Sequence, residues 1–195
     1  MKTLLFGIII LIVTLSFTVE SGKLSGLVTH GDSYGLANQA DAGCEIYAIS
    51  EADLKSTQYV DIANVIGNFQ RNKSQYSVSV YNTIDPVRIK NIQDSFDALS
   101  NFAFKYISGF KKVPAIVKTV TNGTGKYTIA LKPGKYFILV ISGSLKSNNI
   151  VEYKGNVDIK ITDVKASGES FLDFNFEKQE MIWIKLITSG QINGC

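Results

Sequence analysis

Residues 121–141, TNGTGKYTIALKPGKYFILVI, carry the stretch that decides how this chain folds. Apolar side chains recur at every second position on both sides of Pro133-Gly134. Tyr127, Ile129 and Leu131 precede the pair, and Tyr136, Ile138 and Val140 follow it. Period two is the signature of a strand with one buried face. Proline presets φ for a turn, and the glycine after it tolerates a positive φ. The stretch therefore predicts a β-hairpin, strands 126–132 and 135–141, with both tyrosines turned into the core.

Similar alternation extends in both directions. Upstream, 23–30 (KLSGLVTH) and 44–49 (CEIYAI) read as strands, separated by a turn at 31–35 and a polar loop at 36–43. Downstream, 113–121, 156–162, 170–176 and 181–188 read as further strands, the last carrying Trp183. Between 50 and 109 the period changes. Ser50-Glu51-Ala52-Asp53 resembles a helix-capping box, and Tyr59, Ile62, Val65, Ile66 and Phe69 recur at helical steps. The polar run 71–75 is expected to end that helix, and 75–81 (QYSVSVY) reads as a small strand or an extended loop. Asp85-Pro86 then starts a long helix whose apolar face runs from Ile89 to Ile107. These elements predict a mainly β chain: a Greek-key β-sandwich of about seven to eight strands, with a helical insertion (50–109) between the second and third.

At 195 residues, with 45% hydrophobic and 19% charged, the chain can bury a sizeable core. Twenty basic against seventeen acidic side chains leave +3, without a clustered basic footprint, so nucleic acid is not an expected partner. Lys2 followed by the apolar run 4–17 reads as a signal peptide (1–21), since a spanning helix needs roughly 20 apolar residues. An uncleaved anchor is the alternative. The expected location is export to the periplasm, the cell surface or the medium, with no membrane attachment once the segment is removed. The remaining 22–195 is expected to form one sandwich domain.

Two cysteines, Cys44 and Cys195, could pair in an oxidising compartment, and closing so long a loop would stabilise by about 4–5 kcal/mol. Alternatively Cys44 is a small core residue and Cys195 a terminal thiol.

The chain also resembles a family. Carboxypeptidase regulatory-like domains, within the transthyretin-like group of β-sandwiches, share a G-x-V first strand, an alternating second strand, and a later G-x-Y…P-G-x-Y pattern. Gly26-Leu27-Val28 is similar to the first, Cys44-Glu45-Ile46 to the second, and Gly125-Lys126-Tyr127 through Pro133-Gly134-Lys135-Tyr136 to the third. The resemblance implies an accessory module that stabilises, docks or presents other domains, usually without catalysis. It leaves the insertion and everything after Phe176 unaccounted for.

No motif supplies chemistry. His30, the lone histidine, fits the edge of a strand, and Asn122-Gly123-Thr124-Gly125 precedes a strand, so it lacks the helix end that a phosphate loop needs. Asp94 with Asp97 and Glu177 with Glu180 could act as acid–base pairs only inside a cleft. Asp32, Asp41 and Glu45 lack the spacing of a calcium loop. Asn72-Lys73-Ser74 and Asn122-Gly123-Thr124 match the glycosylation acceptor pattern. Tyr76 and Tyr81 stand in a Ser-rich stretch where aromatic rings suit a recognition surface. The resulting expectation is a non-catalytic binding or structural module without cofactor or metal. It would recognise a protein or carbohydrate at the cell envelope through the insertion, with Tyr76 and Tyr81 as contacts. The alternative is an envelope hydrolase with carboxylates at the insertion–sandwich junction.

Overall fold

The computed structural model describes residues 21–31, 38–142 and 157–176. Among them lie nine strands and three helices. In chain order these are β1 (Gly22–Gly31), β2 (Asn38–Ala40), β3 (Glu45–Ser50), α1 (Glu51–Lys55), α2 (Ile62–Tyr81) and α3 (Pro86–Phe110). Then follow β4 (Val117–Val120), β5 (Lys126–Leu131), β6 (Gly134–Ile141), β7 (Val157–Val164), β8 (Glu169–Phe171) and β9 (Phe174–Phe176).

Two sheets face each other. One is centred on β1, which pairs antiparallel with β2 and β5 and parallel with β8 and β9. The other runs β4-β3-β6-β7 and is antiparallel throughout. Between them lie Leu24, Val28, Ile129 and Phe174 from the first sheet and Ile46, Ile138 and Val140 from the second. The chain is mainly β and has the two-sheet build of a sandwich.

The hairpin expectation is overturned. β5 pairs with β1, whereas β6 pairs with β3 and β7 in the opposite sheet. Pro133-Gly134 thus carries the chain across the core. Tyr127, Ile129 and Leu131 point into the core from one side, and Tyr136, Ile138 and Val140 meet them from the other. Alternation reports which side chains are buried and is blind to which sheet supplies the hydrogen bonds. Gly134 adopts φ +146°, which side chains rarely accept.

Strand boundaries also shift. Asn38–Ala40, read as loop, pairs with Thr29–Gly31, so the helices follow the third described strand and not the second. The strand expected over 113–121 is confined to Val117–Val120, and that over 170–176 divides around Leu172-Asp173. The division lets each half add to a different stretch of β1. The strand expected at 181–188, Cys195 and the leader lie outside the described residues.

The helices form a third layer. Tyr47, Ile49 and Leu139 project from the outer face of the second sheet and are covered by Ile62, Ile66, Phe69, Ala103, Ile107 and Phe110. α1 starts at Ser50, whose Oγ accepts from the Asp53 amide (3.0 Å). The expected break at 71–75 does not occur, and 75–81 is helix. The stretch 68–81 contains neither Gly nor Pro. Val80 is buried and Tyr76, one helical turn before it, is half-buried against α3, while Val78 faces solvent. Packing against α3 therefore outweighs the local alternation. Asp85 caps α3 by accepting from the Val87 amide (3.0 Å), with Pro86 in the first turn as expected.

Candidate functional site

The sheet-facing halves of α2 and α3 pack on the second sheet. Gln70 of α2 donates to the Val157 carbonyl (2.8 Å) and to Asp158 (3.2 Å) of β7. Beyond it, α2 and the opposite part of α3 pack on each other as an arm. At its tip Ile84, Val87 and Val78 are exposed. The arm is held by an aromatic row: Phe96 stacks on Phe69 (centroids 6.1 Å) and on Tyr76 (4.5 Å, planes 17° apart), and Phe104 meets Phe69 edge-on at 5.6 Å.

A groove of about 490 Å³ runs between the two helices of this arm. α2 contributes Asn72, Gln75, Tyr76 and Ser79. α3 contributes Arg88, Asn91 and Ser95, with Ile92, Phe96 and Leu99 as its apolar part. Three carboxamides, two aliphatic hydroxyls, a phenol and a guanidinium therefore line it, and among the described residues no carboxylate does. Burial, with the charge of Asp97 beside it, raises the Tyr76 hydroxyl above its ordinary pKa, so the phenol stays a neutral donor. The groove is open to solvent, and its polar lining residues other than Tyr76 are exposed.

Tyr76 is thus in the groove. Tyr81 closes α2, and its side chain lies outside the described residues. Signals for the rest of the lining were present in the sequence, since Asn72, Gln75, Asn91 and Ser95 stand at helical spacing around Tyr76 and Phe96. Reading 75–81 as extended kept them apart.

Other candidates are placed elsewhere. His30 sits within β1 opposite Gln39. Asp94 is paired with Lys90 (2.7 Å), and neither Asp94 nor Asp97 lines the groove. Asp41 is fully buried and accepts from the Ser142 hydroxyl; its carbonyl accepts from Thr121 Oγ1 (2.7 Å) and Cys44 Sγ (3.2 Å). Cys44 is a core residue, and its proposed partner Cys195 lies outside the described residues. Among the described residues, no three His, Cys, Asp or Glu side chains are grouped to hold a metal. At the insertion–sandwich junction, Glu45 accepts from Lys111 (2.5 Å) and Tyr47 (2.8 Å), and Glu51 pairs with Lys55 (3.1 Å). Burial opposes the charge on Lys111, but its bonds to Glu45 and Tyr47 prevail and hold its pKa above the ordinary lysine value. Glu45 thus ties β3 to the end of α3, and the Glu51–Lys55 pair spans one turn within α1. Asn122 Oδ1 accepts from Thr124 and Lys126, which makes it a turn staple ahead of β5. Asp32, Glu177 and Glu180 lie outside the described residues. Among the described residues no helix is long and apolar enough to cross a membrane.

No family model matches the chain, and no curated protein matches it significantly. Solved structures similar to it include a minor pilin of Streptococcus agalactiae (12% identity, 83% of this chain and 46% of that one, TM-score 0.39). A candidate carbohydrate-binding protein of Pseudomonas aeruginosa is similar at 12% identity, over 85% of this chain and 94% of that one, with TM-score 0.34. The pilus backbone protein of Streptococcus pneumoniae is similar at 12% identity, over 81% and 40% of the two chains, with TM-score 0.33. The chain spans less than half of either pilin. Likeness at this level carries no argument about function, which rests on the groove.

Proposed function

We propose that this chain is an exported, non-catalytic binding module of the carboxypeptidase regulatory-like kind, with the helical arm as its recognition element. Its partner is a carbohydrate or protein of the cell envelope. One observation carries the reading: α2 and α3 present an open groove around Tyr76 lined by carboxamides, hydroxyls and the Arg88 guanidinium. Carboxamides and hydroxyls both donate and accept, which suits recognition, whereas the junction carboxylates are engaged in structural ties.

The test pairs Tyr76→Ala with Asn91→Ala in one variant. It should retain the parent's circular dichroism and lose at least tenfold in affinity for envelope polysaccharide or envelope protein, measured on immobilised full-length chain. Undiminished binding would place recognition elsewhere.

A further inference from the structure

The ligand class can be narrowed, on the basis of that reading, from the charge of the groove. Among the described residues its lining holds one cation, Arg88, and no carboxylate. Arg88 is exposed and makes no ion pair or hydrogen bond among the described residues. It stands in the first turn of α3, a helix of 25 residues with no acidic side chain in that turn. The dipole places partial positive charge there, which the N-cap carboxylate of Asp85 partly offsets. The nearby carboxylate of Asp85 is engaged in capping the Val87 amide. Within the arm, Asp94 is taken by Lys90 and Asp97 lies beside Tyr76, outside the lining.

We infer that the groove binds an acidic saccharide, with Arg88 taking its carboxylate and Asn72, Gln75 and Asn91 its hydroxyls. A guanidinium presents a planar fork that matches a carboxylate through two parallel hydrogen bonds. Carboxamides, which donate and accept at once, match sugar hydroxyls that do the same. A polyphosphate chain would call for a row of cations, and the lining has one.

Calorimetric titration of the full chain with oligosaccharides of galacturonate, alginate and hyaluronan, each beside its carboxyl-methylated form, tests this. At least one acidic oligosaccharide should bind. Methylation or Arg88→Gln should weaken it about ten- to a hundredfold, with Arg88→Lys in between. Binding that ignores both methylation and Arg88→Gln but is lost in the Tyr76→Ala, Asn91→Ala variant overturns the acidic ligand and leaves the groove as the site. Binding that survives in that double variant overturns the groove itself. No binding by any member of the panel overturns the saccharide assignment.

Discussion

Gly26 lies where two strands of the first sheet close on a third. A Cβ there would collide with the Leu172 backbone and lie 2.8 Å from the Tyr127 ring. Tyr127 in turn donates its hydroxyl to the Leu172 carbonyl at 2.6 Å, and burial holds that phenol well above its ordinary pKa. Gly26→Ala should therefore lower stability by about 1–3 kcal/mol through overpacking, read from the urea midpoint. Tyr127→Phe removes the hydrogen bond and should cost about 0.5–1.5 kcal/mol. At the crossover, Gly134→Val should cost about 1 kcal/mol or more, because φ +146° disfavours a side chain; an unchanged melting temperature would contradict that backbone. Glu169 accepts from the Ser25 hydroxyl and pairs with Lys23 (2.9 Å), which together depress its pKa. A carboxylate depressed in the folded state stabilises the fold above its unfolded pKa, and that contribution vanishes as pH falls through the folded value. The urea midpoint of the parent should drop between about pH 5 and pH 2 more steeply than that of Glu169→Gln.

Elements differ in how plainly the sequence announces them. The period-two runs located β1, β3, β5 and β6, whose alternate residues pack into the core between the sheets, and β7, whose Val157 and Ile159 pack on the helix side instead. Pairing was not legible, since partner choice depends on contacts far along the chain. One clue was present: 126–131 alternates with polar residues, whereas 136–141 (YFILVI) is apolar throughout. A strand apolar on both faces is covered on both faces, which suits β6 between the other sheet and the helices and does not suit β5. The groove was half legible. Tyr76 was singled out, but Arg88, Asn91 and Gln75 join it only once 71–81 continues as helix against Phe96. The arm and the anchored part of the helices should separate in an experiment. Replacing 72–98 with a short turn should leave a folded protein, with its melting temperature within a few degrees of the parent. Removing 51–112 should instead uncover Tyr47, Ile49 and Leu139 and give a chain that aggregates on purification.

At the scale of the whole molecule, the layers are helices, second sheet, first sheet, with the second sheet buried on both faces. The second sheet and the helices draw all their described strands and turns from 45–164, a continuous stretch of chain. The first sheet is different. Lys23–Ser25 pairs with Glu169–Phe171, and Val28–His30 with Phe174–Phe176, across nearly the whole described length. A chain that emerges in order, from a ribosome or through a translocation pore, therefore has its first strand waiting on one side until residue 176 is free. Completion of the first sheet is tied to release of the chain as far as Phe176. Until then β1 offers an unpaired edge, a natural place for a chaperone or a donor strand from a neighbour to bind in passing.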